Sequence, residues 1–320
     1  MDLHQEGGQP SWLQVDFAVC AEDNGGWGCQ LIELQGFPSL YGFYPFLVER
    51  YAEAYGIPSG YTPFPLGLDA TSYYQAIGQE LLGTSSAEKV ALVDIDPATQ
   101  PNLIDFETTR SKWGVGIVGI EHIRFSGGHP FYEVEGNRRW IERIYNRVLP
   151  VVVGPSSPLY STWRNLLKAD IDWACHPSWY YRVSKALLPS IEGSFNPECY
   201  NLSDIDSIPR DISRFVLKPS YSYGGHGTVL YPSARDVEQA RSAGPHVLQR
   251  RVNYSPCVFL DGEDIGSKVE IRLLYAWDST GKDYLLVGAA ARLSRGDHMA
   301  LRYNTGDRGT GLSVCYFEIK

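Results

Sequence analysis

The sequence predicts an α/β unit over residues 1–150 followed by an α+β half over residues 151–320, and three stretches carry that expectation. Residues 87 to 125 read strand, helix, strand: KVALVDID, then TQPNLIDFETTRSKWG, then VGIVGI, with buried apolar runs in the order of a parallel sheet. KVEIRLLYAW, YLLVGAAARLSRG and HMALRYN are three strand candidates joined by short turns, which give the C-terminal half an antiparallel character. Ahead of them lies RFVLKPSYSYGGHGTV, residues 214 to 229, around which the rest of the chain is organised.

In that stretch Phe215, Val216 and Leu217 form a β-prone run that delivers Lys218 to a strand end, and Pro219 forbids further ladder pairing. Gly224, Gly225 and Gly227 follow and lead into a second strand. Glycines let backbone N–H groups turn toward an anion, and a neighbouring lysine supplies a point charge, so the stretch reads as a phosphate-covering hairpin. It matches neither GxxxxGK[ST] nor a glycine turn that opens a helix. Taken alone, it is equally an ordinary Gly-rich hairpin.

Composition narrows the class. A chain of 320 residues with 43% hydrophobic content can bury substantial cores and is expected to form two or three compact units. The net charge of -9 argues against a nucleic-acid or anionic-membrane partner, yet it leaves room for a local basic pocket. Cys20, Cys29, Cys175, Cys199, Cys257 and Cys315 lie far apart without zinc spacing and read as free thiols in a reducing compartment. The N-terminus has no signal-peptide pattern and no apolar stretch approaches membrane-spanning length, so a cytoplasmic protein is expected. The oligomeric state is not legible.

In chain order, SWLQVDFAVC alternates as a strand, and QLIELQGFPSLY holds Gln30, Glu33 and Gln35 at a strand-to-turn junction where they could face a ligand or simply water. YPFLVERYAEAY, ended by Gly56 and Pro58, is an amphipathic helix, and 69–82 is a second. Asp94 and Asp96 stand at a strand's carboxyl end, where they either meet a ligand or cap the next helix. HPFYEVEGNRRWIERIYNRVL holds a hairpin around Glu135, Gly136 and Asn137, and then Arg139, Arg143 and Arg147 would share one face of a helix. A helix over 159–169 follows, near a domain boundary at 150–175. Lys185 falls on an apolar helix that Pro189 interrupts, and 193–212 reads as loop. SARDVEQARS, with its serine start and acidic first turn, is a helix, and HVLQRRV is a short strand.

The ordered set Lys185, Lys218 with GGHG, Glu270 and Arg272 on one strand, Arg292 and Arg295 on another, and Asn304 beyond resembles the ATP-grasp superfamily over residues 176 to 311. HPSWYYRVSKALLP, VLKPSYSYGGHG and ARLSRGD look most like uncharacterised ligases grouped near glutathionylspermidine synthase. The resemblance implies that 151–320 is an ATP-grasp domain of two subdomains, preceded by a substrate-side unit over 1–150. It implies ATP and Mg²⁺ as cofactors and small-molecule carboxylate and amine substrates, joined through an acyl phosphate. In its terms Lys185, Lys218, Gly224, Gly225 and Gly227 meet phosphates, while Gln249, Arg250 and Val252 lie along the adenine. Glu270 and Asn304 would hold the metal, and Arg272, Arg292 and Arg295 would act on the γ-phosphate or the carboxylate. Arg302 departs from the pattern, since the family carries an acid two residues before the asparagine. A nucleotide-binding module without turnover and a small-molecule phosphotransferase are the rival readings.

Overall fold

A computed structural model describes residues 8–319. The strands of its three main sheets are β1 (Trp12–Ala21), β2 (Trp27–Gln35), β3 (Val90–Asp94), β4 (Gly116–Gly119), β5 (Arg143–Asn146), β6 (Asp172–Ala174), β7 (Cys199–Asn201), β8 (Phe215–Pro219), β9 (His246–Arg250), β10 (Lys268–Asp278), β11 (Asp283–Ser294) and β12 (Gly311–Val314). The helices that pack on them are α1 (Phe43–Tyr55), α2 (Ala70–Leu82), α3 (Leu103–Trp113), α4 (Tyr160–Leu166) and α5 (Ala234–Ala243). No helix among the described residues is long and apolar enough to cross a membrane.

The largest sheet is antiparallel with order β12-β11-β10-β1-β2, so strands from the two ends of the sequence lie side by side. The division expected at residue 150 therefore does not coincide with a sheet boundary. A strand's ladder groups must be paired somewhere, and β1 and β2 find their partners on β10 instead of within residues 1–150. The second sheet, order β6-β5-β3-β4, is parallel, as the strand, helix, strand pattern predicts. The third, order β7-β9-β8, is small and antiparallel.

Three cores follow from these layers. Trp12, Leu274 and Val287 of the large sheet pack with Tyr44 of α1, Tyr73 and Ile77 of α2, Phe106 of α3, and one face of the parallel sheet through Val90 and Leu92. The opposite face of that sheet, through Ala91, Val93 and Ile144, meets Trp163 and Leu166 of α4. The small sheet buries Phe215, Leu217 and Leu248 under Val237 and Ala240 of α5. Local signals locate the helices: Asp69 and Ser72 form a capping box at α2, and Ser233 and Asp236 form another at α5.

Several local expectations are corrected. The Arg139, Arg143, Arg147 helix face does not exist, because the chain there is a strand over Asn137–Trp140 and then β5. Pairing with 131–134 and with β3 outweighs the charge spacing, and Ile141, Ile144 and Tyr145 are buried by it. Glu135 and Gly136, with φ of 50° and 79°, make the tight turn of the expected hairpin. HMALRYN is not a strand, since the edge of β11 is taken by β12 and residues 301–303 form a single helical turn. Lys185 opens a short 3₁₀ helix over 185–190 instead of lying on an α-helix, and in place of a strand at Thr228 and Val229 there is one isolated bridge from Val229 to Leu217.

Candidate functional site

A cleft of about 920 Å³ is lined by the small sheet, the large sheet and the carboxyl edge of the parallel sheet. Its lining carries nine Lys or Arg side chains against four Asp or Glu, on a protein whose net charge is -9. The floor is a row of charges set by strand register. Glu33 on β2 faces Asp16 on β1, Asp16 faces Arg272 on β10, and two residues along the same face of β10 Glu270 faces Arg292 on β11. A bulge in β2 lets Asp16 and Phe17 span three residues, Leu31 to Glu33, which re-aims that strand.

The bulged backbone meets the small sheet. Lys218 Nζ donates to the Ile32 carbonyl at 3.1 Å and to Gln249 Oε1 at 2.6 Å, and Gln249 Nε2 donates to the Leu31 carbonyl at 3.0 Å. Lys185 Nζ lies 3.0 Å from Glu33 Oε2 and donates to the Ser222 carbonyl at 2.9 Å. Each ammonium thus spends two of its three N–H groups inside the protein. Burial pushes the Glu33 carboxyl up, but Lys185, Lys218 and Arg292 outweigh it and hold the group at about 2. Burial conversely lowers Lys218, and Glu33 offsets part of that effect.

The acids of the floor are saturated. Asp16 is fully buried and takes a bidentate pair from Arg272, with Nε to Oδ1 at 3.0 Å and Nη2 to Oδ2 at 2.7 Å. Glu270 accepts from Arg292 on one oxygen and from the Tyr254 hydroxyl on the other at 2.6 Å. Above the floor, Gly224 and Gly225 run at φ of 52° and 78°, a conformation that strains other residues. A Cβ on Gly224 would also lie 2.9 Å from Arg302, whose Nη1 is 2.8 Å from His226 Nε2. The glycine loop is therefore latched to the turn at 301–303.

Of the expected site residues, Lys185, Lys218, Gly224, Gly225, Gln249, Arg250, Val252, Glu270, Arg272 and Arg292 all line this cleft. Three do not. Arg295 pairs with Glu263 and Asp307 away from it, Gly227 turns back against the Pro219 ring, and Asn304 Nδ2 donates to the carbonyls of His298 at 2.7 Å and Ala300 at 3.0 Å. Arg250 is half engaged elsewhere, with Glu198 and Asp211. Beyond it the backbone N–H groups of Val252, Asn253 and Tyr254 have no partner among the described residues.

Asp16, Tyr254, Arg147, Asp94 and Arg302 were not singled out as a group by sequence. The one signal for Asp16 is a charge in the middle of an apolar strand. Burial pushes Asp94 up to about 6, against the opposing pull of Arg147. Its value in the folded protein exceeds its unfolded one, so stability falls as pH rises from the ordinary carboxylate range through about 6. Asp94→Asn is expected to remove that loss, gaining about 3 kcal/mol near pH 8 and almost nothing near pH 4 in chemical denaturation. An equal gain at both pH values would refute the assignment.

No family model matches the chain, and no curated protein matches it. Among solved structures the fold is similar to a glutathione synthetase-like effector (GSS30) from Globodera pallida in apo form. The match has a TM-score of 0.51 and 11% identity, and it covers 91% of this chain and 76% of that one. The protein thus has a mixed α/β fold of several sheets like that of the effector.

Proposed function

We propose that the protein is an ATP-grasp-type ligase that binds ATP in the cleft and uses it to join a carboxylate to an amine. The observation that carries this reading is the convergence of Lys185 and Lys218 on Glu33 beneath the Gly224–Gly225 turn, in a cleft with more than twice as many cations as acids. A polyphosphate is the ligand whose charge such an excess matches. The third N–H of each lysine is open to a phosphate oxygen, the glycine turn covers the phosphates, and the unpaired backbone at 252–254 is open to the purine edge. The similarity to a glutathione synthetase-like fold supports the class.

In this reaction a carboxylate oxygen attacks the γ-phosphorus, ADP departs, and the amine then displaces phosphate from the acyl phosphate. Charge builds on the β,γ-bridging oxygen, and preorganised cations stabilise it without reorganising at the moment of transfer. Lys185, Lys218, Arg292 and Arg302 are the cations of this chain available for that work.

The side chains do not fit a magnesium ion as they stand. Magnesium demands open oxygen donors in near-octahedral geometry, but both Glu270 oxygens are taken by Arg292 and Tyr254, and Asn304 is turned into its own loop. Among the described residues no group of three or more His, Cys, Asp or Glu could hold a metal. No step is therefore assigned to Mg²⁺, and this observation favours a second reading, nucleotide binding without ligase turnover.

Two measurements separate them. ADP release that requires both a carboxylate and an amine pool supports the ligase; an ATP-induced melting shift with no ADP under any pool supports the second reading. Absence of any shift at millimolar ATP sinks both. Saturated floor acids further predict that the ATP shift survives excess EDTA. A shift that appears only with Mg²⁺ would mean that Glu270 releases Arg292 on binding.

A further inference from the structure

The same cleft reaches the carboxyl edge of the parallel sheet, where Asp94 and Arg147 line it. Val93 of β3 is paired with Asn146 of β5, so Asp94 and Arg147 are the next residues out on two adjacent parallel strands. From β3 the chain runs through α3 to β4 on one side, and from β5 it runs through α4 to β6 on the other. The gap between these strand ends is thus the topological switch point of the sheet, the crevice where open α/β sheets take ligands.

The two charges there are neighbours that do not satisfy each other. No ion pair within 4.0 Å joins Asp94 to Arg147 among the described residues. Asp94 Oδ1 accepts from the Ile95 N–H at 2.8 Å, and its second oxygen accepts no hydrogen bond among the described residues. Arg147 gives Nη1 to the Pro38 carbonyl and lies over the Phe37 ring at 5.0 Å, while its buried Nε has no hydrogen-bond partner among the described residues. Asn102 begins α3 without using its side chain as a cap, and Gln100 spends only its Nε2, on the Ile95 carbonyl at 2.6 Å. A carboxylate and a guanidinium are left facing one small polar space, with amides beside them.

A simple anion would leave Asp94 buried beside a like charge, and a simple cation would do the same to Arg147. A ligand that carries both charges a few bonds apart satisfies both. We propose that this crevice is a binding subsite for an α-amino acid or similarly spaced zwitterion, its ammonium against Asp94 and its carboxylate forked by Arg147. The proposal rests on the ligase reading only in making this ligand one of the two substrates joined; binding itself does not depend on it.

The test uses the full chain and the twenty protein L-amino acids, each beside its N-acetyl and carboxamide derivative, by saturation-transfer NMR and calorimetry, with and without a non-hydrolysable ATP analogue. At least one free amino acid is expected to bind, with either derivative at least tenfold weaker and Asp94→Asn at least tenfold weaker. Asparagine keeps the acceptor for the Ile95 N–H; should that variant still fail to fold, Arg147→Lys, which keeps the charge but loses the fork, is expected to weaken binding to the same degree. No binding by any amino acid, equal binding of the derivatives, or wild-type affinity in the folded variant overturns the proposal. ATP shifts on the same wild-type samples are read separately: amino-acid binding without an ATP shift sinks the ligase reading and leaves the subsite standing, and the reverse pattern does the opposite.

Discussion

Arg272→Ala is expected to destabilise the protein by about 3–5 kcal/mol, the cost of stranding a buried carboxylate without its partner. The carboxylate is Asp16, fully buried and directly opposite Arg272 across the β1–β10 ladder, bound at both oxygens. With the guanidinium gone, Asp16 keeps only the Gln14 amide at 3.1 Å and Arg292 at 3.6 Å. A loss of that size corresponds to a melting point lower by roughly 10 °C, taking about 2–4 °C per kcal/mol for a chain of this class. The clamp ties the N-terminal hairpin to the C-terminal strands, so Arg272 works as a structural cross-link in addition to any contact with substrate. The paired replacement Asp16→Leu with Arg272→Met should recover most of the loss, because it removes both charges and keeps apolar volume. A single alanine variant that melts within about 2 °C of wild type would contradict the clamp and leave the guanidinium free for ligand.

Lys218→Met is expected to abolish the ATP-induced melting shift and to weaken ATP by roughly 10- to 100-fold, since a hydrogen bond to a charged group contributes about 1.5–3 kcal/mol. Methionine retains most of the stem's volume, so the packing of β8 against Val247 of β9 is largely conserved. The variant also removes one of three cations that hold Glu33 low, and its carboxyl should titrate at a higher pH than in wild type. Retained ATP affinity alongside that upward shift would mean that Lys218 serves Glu33 and the Ile32 carbonyl alone, and that the phosphates lie elsewhere in the cleft. Glutamine at position 249 offers the control: Gln249→Leu breaks the same bridge between sheets without removing charge, so it separates a loss of geometry from a loss of the ammonium.

Much of this architecture is legible in local sequence because local energetics decide it. Asp69 and Ser233 cap α2 and α5 where the residue pattern says they should, and the apolar run ending at Asp94 is a buried parallel strand. Lys218 at a strand end with a positive-φ glycine turn behind it is likewise a local fact. By contrast, the residues 137–147 show a helical charge spacing that strand pairing overrides, and Asn304 sits in loop geometry that no motif spacing encodes.

The sequence by itself determined the capped helices, the placing of Lys218 ahead of a glycine turn and the parallel order of the strand, helix, strand segment, because caps, periodicity and glycine conformations act over a few residues. Only the tertiary structure decided which face of each strand meets the cleft and what that face does. In β1 the alternation offers Leu13, Val15 and Phe17 for burial, yet those three are only partly buried, and Gln14 and Asp16 are buried on the other face with Trp12 and Ala18. A period of two marks two faces without naming the inner one, and the choice fell to long-range pairing with β10, which put Arg272 opposite Asp16. The same long-range pairing closes Glu270 with Arg292 and sets Asp94 beside Arg147, contacts between residues that local chemistry has no means to foresee.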